Sequence, residues 1–463
     1  MAPSVNRRVD TENSVLFPSS VALTDTPLGH LEFALRHEGI DLPVIEAVFD
    51  HIEPGELVGR LRESPNGEYI RRAAFLWEWF KGDELQVDVN PSGRYIDLFP
   101  SDRYVTARNP VRYAKYRVAD NALGDRRFCP VVSRDVYPGP AFLEGLLEQA
   151  ASLSAQSEAG GLYERAVHYL YLSETRGSFA IERETPSASK EERFVQLLRQ
   201  AGELRGLTET RLVTIQNAVV RDVYSREASY RTRQNWLENH AGRITFFPHP
   251  LEGLRETMAG WEAFVNEDER GLDPLIRAAC AAFGLVYLHP FMDGNGRLHR
   301  FVIHHVLAHS GLVSPDMVIP VSAVIMKHIP TYHQVLTAFS EPVTRLWDYL
   351  RHDDGPQILS APGCAPYRYF QADREVAFLG QMLREAVEQE IPRELAFLHG
   401  YDAAVAAIEA EFDLPQKEIA LLIRIIQGNQ GRLSKKKRPQ FDRLPDEVIS
   451  RIEQIVAKAF GRV

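Results

Sequence analysis

Residues 274–288, PLIRAACAAFGLVYL, are apolar almost all round, which obliges this segment to be buried on every side. Asp273 is placed to cap a helix here and Pro274 fits its first turn, where a missing N–H costs nothing. His289-Pro290 ends the helix. Helical spacing resumes in RLHRFVIHHVLAHSG, with Leu298, Phe301, Val302 and Val306 on one face and Gly311 as the stop. A helix of this composition is expected inside a bundle. The longest apolar run, Ala278–Leu288, is too short for the roughly 20 residues a membrane span needs.

The two helices are joined by HPFMDGNGRLHR, residues 289–300, which is too polar and too glycine-rich to be core. A helix N-terminus presents unpaired N–H groups and a partial positive charge, a ready site for an anion. Gly294 and Gly296 let the backbone approach a ligand closely, and Arg297 and Arg300 stand one turn apart, near enough to flank one phosphate group. Asp293 is a hard oxygen ligand suited to Mg²⁺ on phosphates, and His289 could take a proton from an attacking hydroxyl. Phe291 reads as an anchor to the core. Together these residues suggest transfer of a phosphate-containing group from a nucleotide. His289, His299, His304, His305 and His309 also crowd the region, but with no HExxH and no second acidic ligand nearby a zinc site is the weaker reading.

At 463 residues the chain exceeds one ordinary core. The expected division is a mixed, mainly helical N-terminal domain over 1–135, a central domain over 136–352 and a helical C-terminal domain over 364–463. The Pro-rich stretch from Cys129 and DDGPQILSAPGCAPY (353–367) are the expected linkers. YIRRAAFLWEWFKGDEL (69–85) predicts a helix ending near Gly82, and REVAFLGQMLREAVEQEI and LPDEVISRIEQIVAKAF predict amphipathic helices near the C-terminus. A net charge of -10 argues against bulk nucleic-acid affinity. Three scattered cysteines suit a reducing compartment, and MAPSVNRRVDTENSVLF lacks the apolar core of a secretory signal, so a cytoplasmic protein is expected.

HPFMDGNGRLHR resembles the signature of the Fic (Fido) family, HxFx[D/E]GNGRxxR, at every fixed position. The resemblance implies an all-α core with a small β-hairpin flap, flanked here by mainly helical domains on both sides. It also implies AMP transfer from ATP, with Mg²⁺, to a hydroxyl side chain of a target protein. By position His289 would be the general base and Asp293 the Mg²⁺ ligand. Gly294, Asn295 and Gly296 would form the anion hole, and Arg297 and Arg300 would hold the outer phosphates. YRTRQNWLENHAGRITFFPHP (230–250) is similar to the segment leading through the flap, and its strand-like ITFFP makes about 243–248 the expected docking edge for a target. PTYHQVL (330–336) resembles the family's YYxxL region, which would put Tyr332 at the nucleotide, against the alternative of a packing tyrosine. The likeness covers roughly residues 160–345.

RGSFAIERE (176–184) is similar to the family's inhibitory motif, [S/T]xxxE[G/N], with Ser178 and Glu182 in place. In that logic the glutamate pairs with the second motif arginine and keeps the γ-phosphate from it. Arg183 departs from the pattern, standing where the family has glycine or asparagine. Two other functions use the same residues: removal of AMP from a modified protein, with Glu182 positioning water, and nucleotide sensing with little turnover. The basic run in GRLSKKKRPQF (431–441) admits nucleic acid as a partner, with a solvated loop as the stronger reading.

Overall fold

Helix Pro274–Leu288 is enclosed as its composition demands: all its residues but Pro274, Arg277 and Val286 are buried. In the computed structural model, which describes residues 9–10, 15–18, 21, 23–155, 162–202, 206–220, 223–267, 269–312, 317–352 and 355–461, it is the centre of the largest core. Asp273 Oδ1 accepts the Leu275 N–H at 2.9 Å, which caps the helix as expected. Around it pack Leu254–Asn266, Asn295–His309 and Asp373–Glu385. Trp261 lies fully buried against it and donates its indole N–H to the Ala281 carbonyl at 2.8 Å. Helices make up about 58% of the chain and the sheets are small, so the all-α class holds.

A second core lies in the N-terminal part. Helices Pro27–His37, Pro54–Glu63 and Glu68–Lys81 bury Leu31, Leu57, Leu61, Ile70 and Phe80 among others. The helix read from 69–85 stops at Gly82, whose φ of 74° ends it in the left-handed region that glycine tolerates. A three-stranded sheet completes this part, with Val118–Asp120 central, parallel to Ile96–Asp97 and antiparallel to Val111–Tyr113.

The cores do not divide where the linker-like composition suggested. Val105, Leu123, Phe128 and Val132 already belong to the central core, so the boundary expected at 135 is interleaved over the preceding thirty or so residues. The stretch 353–367 is not a free linker. Its described part contains the strand Gly355–Ser360, paired antiparallel with Asp348–His352, and the short helix Ala365–Arg368. Tyr367 at its end, and Phe370, Phe378, Leu383 and Leu398 beyond it, return to the central core. The Tyr367 hydroxyl donates to the Phe247 carbonyl at 2.7 Å and accepts from the Trp347 indole at 2.9 Å. A separate third core begins only at Ala404, where helices Ile391–Glu411, Gln416–Gly428 and Asp446–Ala459 meet. The three cysteines are free. Among the described residues no helix is long and apolar enough to cross a membrane.

Candidate active site

His289 terminates the buried helix in the left-handed conformation, φ 52° and ψ 59°. Proline at the next position disfavours continued helix, and a buried arginine fixes the resulting corner. Arg231 donates Nε to the His289 carbonyl at 2.9 Å and Nη2 to the His249 carbonyl, while its backbone N–H reaches the Pro290 carbonyl at 2.8 Å. Burial lowers the Arg231 pKa to about 10. Asn295 closes the loop from the other side. Its Oδ1 accepts the Phe291 N–H at 3.1 Å and its Nδ2 donates to the Phe291 carbonyl at 2.7 Å. Phe291 is fully buried, with its ring 5.6 Å from that of Tyr230. The Asn295 side chain is thus engaged with the loop itself.

The loop enters helix Asn295–His309 through Gly294, whose φ of 89° suits glycine alone. Gly296 is required for a different reason. A Cβ there would lie 2.1 Å from Glu182 Oε1, so only a residue without a side chain admits that carboxylate to the helix N-terminus. Glu182 follows the last turn of helix Leu162–Ile181. Its Oε1 accepts from Arg300 Nη2 at 2.8 Å, and Arg300 also donates Nε to Ser178 Oγ and Nη2 to the Ser178 carbonyl, both at 2.8 Å. Burial pushes the Glu182 carboxyl up, but the charge and hydrogen bond of Arg300, with Arg297 behind them, outweigh it and hold the group below its ordinary value.

Arg183, the departure from the inhibitory pattern, adopts φ 56°. The Arg183 N–H bonds the Ala180 carbonyl at 2.9 Å and the Glu184 N–H bonds the Phe179 carbonyl at 3.0 Å. These are the two hydrogen bonds of a Schellman motif, with Arg183 in the left-handed position that glycine or asparagine usually takes. Its side chain meets His240 Nε2 at 2.6 Å. The same turn delivers a residue that sequence reasoning missed. Glu184 pairs with Arg297 Nη1 and with Lys190 Nζ, the latter at 3.0 Å. Arg297 also reaches Asp293 Oδ1 at 3.2 Å and lies over the Phe179 ring, 5.5 Å from its centroid. Each motif arginine is therefore held by its own carboxylate. A cavity of about 500 Å³ opens beside them, lined by Glu182, Arg183, Glu184, Lys190, Asp293 and Arg297 among others. His289 is not in that lining.

His289 is nearly buried, and its Nδ1 lies 3.2 Å from the Val286 carbonyl. A carbonyl only accepts, so Nδ1 carries the proton and Nε2 the lone pair. Burial pushes its pKa down to about 4, so the ring is neutral near pH 7. Asp293 Oδ1 accepts the Gly294 N–H at 2.6 Å, while Oδ2 has no partner among the described residues. Tyr332 sits in the core, its ring 5.8 Å from Phe378 and 5.9 Å from His299. Burial pushes its phenol up to about 12 against the opposing charge of nearby Arg300. That position backs Arg300; it does not front the cavity. His299 is buried against Phe283, and His304 pairs with Glu174 at 2.7 Å. Among the described residues no group of three His, Cys, Asp or Glu side chains could hold a metal ion.

The strand read from ITFFP is Ile244–Phe246, paired antiparallel with Leu237–Glu238 to form the expected hairpin. Ile244 and Phe246 point inward and Thr245 outward. Ile244 and Phe247 pack with Trp347, whose ring stacks on Phe247 at 4.8 Å. His240, the partner of Arg183, lies in the turn of this hairpin.

Residues 206–307 match the model of the Fic/DOC family. The chain is 36% identical over 77 residues to protein adenylyltransferase fic-1 of Caenorhabditis briggsae, a match covering 16% of this chain and 15% of that protein. It is 27% identical over 201 residues to protein adenylyltransferase Fic of Drosophila mojavensis, covering 38% and 39%. These matches span well under half the length of those curated relatives. Similar solved structures include a Fic domain containing signaling protein from Bacteroides thetaiotaomicron, at TM-score 0.40 and 17% identity over 54% of this chain and 96% of that one. Fic-1 from C. elegans, residues 134–508, matches at TM-score 0.34 and 16% identity over 56% and 73%.

Proposed function

We propose, from the match of residues 206–307 to the Fic/DOC family, that the chain transfers AMP from ATP to a hydroxyl side chain of a target protein and is restrained by Glu182. The observation that carries the reading is the pairing of Glu182 with Arg300 at 2.8 Å directly over Gly296. A carboxylate occupies the anion-binding helix terminus that a nucleotide phosphate would take.

His289 Nε2 takes the proton of the target hydroxyl as its oxygen bonds to the α-phosphorus and the bond to the pyrophosphate oxygen breaks. Its neutral tautomer, set by the Val286 carbonyl, is the form this step needs. The N–H groups at the start of helix Asn295–His309 face the charge that develops on the α-phosphate. Arg297 and Arg300 hold the outer phosphates once released from their carboxylates. Asp293 fits Mg²⁺ because Oδ1 is oriented by Gly294 while Oδ2 is left for a ligand. Bound there with ATP, Mg²⁺ would neutralise phosphate charge. The hairpin around 243–248 is the proposed docking site for an extended target segment, although the Phe247 N–H and carbonyl are already taken by Thr344 Oγ1 and the Tyr367 hydroxyl.

Incubation of the purified protein with ATP and Mg²⁺ should add the mass of AMP to the protein itself or to a target, with pyrophosphate released in equal amount. Pyrophosphate release without any AMP-bearing protein would count against transfer. AMP removal is the second reading, favoured by the same carboxylate over Gly296, which could hold a water in line with a protein-bound phosphate. Release of AMP from a modified target, lost in Glu182→Gln, would select it.

A further inference from the structure

Arg297 is as firmly held as Arg300, and by a different carboxylate. Its side chain is 4% exposed, with Nη1 on Glu184, Nη2 on Asp293 and Nε buried without a partner. A phosphate oxygen that approaches Nη1 or Nη2 from the cavity therefore meets a carboxylate already bound there. Glu184 is itself anchored. The Schellman turn fixes its backbone N–H on Phe179, so Glu182 and Glu184, on either side of the left-handed Arg183, both reach the start of the motif helix. Lys190, 14% exposed, holds the other Glu184 oxygen at 3.0 Å.

We propose that Glu184 is a specificity-determining residue that penalises nucleotides with outer phosphates relative to nucleoside monophosphates, and that Lys190 receives its carboxylate when a phosphate takes Arg297. The proposal rests on the reading above that Arg297 serves the outer phosphates. The physics gives the two residues opposite signs. Glu184 competes with phosphate for one arginine fork, and its charge repels the incoming polyanion. Lys190 neutralises Glu184 wherever it goes, and so lowers the penalty of displacing it. AMP has no outer phosphate to place at Arg297 and is indifferent to both. Glu184 thus acts on phosphate number at Arg297, where Glu182 acts at Arg300.

Calorimetric titration with a non-hydrolysable ATP analogue, ADP and AMP, at fixed Mg²⁺, tests this without needing transfer. Glu184→Gln keeps the shape and removes the charge. It should tighten binding of the ATP analogue on the order of tenfold, from the loss of one charge-assisted competitor, and leave AMP within about twofold. Lys190→Ala should act in the opposite sense, weakening the analogue by roughly fivefold with AMP again unmoved. An ATP-to-AMP affinity ratio that is the same in wild type and Glu184→Gln would overturn the proposal, as would tighter ATP binding in Lys190→Ala. No nucleotide binding by wild type or by the Glu182→Gly/Glu184→Gln double variant would overturn the functional reading itself. That result is distinct from nucleotide binding that ignores Glu184.

Discussion

Glu182 Oε1 lies 2.8 Å from Arg300 Nη2, and the same guanidinium is braced by the hydroxyl and carbonyl of Ser178 one helical turn earlier. The helix end that carries the carboxylate therefore also orients the arginine it occupies. Glu182→Gly should raise adenylylation above wild type. If the carboxylate biases the ATP pose by about 1.4–2.8 kcal/mol, the gain is roughly ten- to hundredfold. Adding Arg300→Ala should abolish the gain, because the freed arginine is its source. Radiolabel transfer from ATP measures both, and equal rates in wild type and Glu182→Gly would remove Glu182 from the restraint.

Arg183 holds a left-handed conformation that costs a residue with a Cβ roughly 1–2 kcal/mol. Its link to His240 joins two exposed side chains and returns little of that. Arg183→Gly should therefore stabilise the Schellman turn by about 1 kcal/mol, slowing local hydrogen exchange of the Arg183 and Glu184 amides about fivefold. Inhibition should persist, since neither carboxylate depends on the Arg183 side chain. Faster exchange in the variant would mean that the flap contact, and not the backbone, holds this turn.

That turn also marks where sequence reading stops. Glu182 could be found because its spacing from Ser178 resembles a pattern, and the 289–300 loop because glycines, arginines and a proline have few other uses together. Glu184 carries no such signal. Its approach to Arg297 depends on Arg183 turning left-handed, and an acidic residue after a helix is ordinarily a solvated one. Arg231 is hidden for a related reason: it satisfies backbone carbonyls of residues distant in sequence, which no spacing encodes. Proline and glycine between 353 and 367 point to a linker, whereas Gly355–Ser360 forms one arm of a hairpin and Tyr367 ties the chain back to Phe247. Strand Ile244–Phe246 is legible from its β-branched and aromatic content; its strand partner Leu237–Glu238, two exposed residues long, is not.

His289→Ala should lower transfer by on the order of 10²–10⁴ while leaving ATP affinity nearly intact, since the ring acts on the hydroxyl and not on the phosphates. Because burial has pushed its pKa to about 4, the rate should show no inflection near 6.5 from this group. A single-turnover rate profile between pH 5.5 and 8 checks this. An acid limb centred near 6.5 that vanishes in His289→Ala would show a ring far more solvated than the one described.

Asp293→Ala should weaken the Mg²⁺-dependent part of ATP binding, seen as loss of the affinity difference between Mg²⁺ and EDTA. Asp293 Oδ1 also supports Arg297 and the Gly294 N–H, so some Mg²⁺-independent loss is expected as well. Asp293→Asn, which can keep the support to Gly294, should show the metal effect in purer form. An unchanged difference between Mg²⁺ and EDTA in both variants would take the metal away from this residue.

The buried histidines give the fold an acid sensitivity whose sign can be worked out. His249 is neutral in a fixed tautomer, with Nδ1 2.6 Å from the Pro250 carbonyl and Nε2 3.0 Å from Thr257 Oγ1. Burial pushes His249 and His305 down to about 3, and His289 and His299 to about 4, from an ordinary value of 6.5. A histidine with a depressed folded pKa takes up its proton in the unfolded chain first. Its stabilising effect is complete above about 6.5 and is lost as pH falls toward the folded value, by about 1.4 kcal/mol per pH unit for each group. Glu375 works in the opposite direction. Burial beside the Tyr287 hydroxyl raises it from 4.5 to about 7, so its contribution is complete below about 4.5 and is lost as pH rises through 7. Four histidines outweigh this carboxyl between about 4.5 and 6.5, so stability should fall on acidification through that window. Urea unfolding of the central core should show a lower midpoint at pH 5 than at pH 7.5. A midpoint that rises on acidification would mean that the carboxyls, not the histidines, dominate the linkage. Glu375→Gln should then steepen the acid loss, because it removes a raised carboxyl that opposes it.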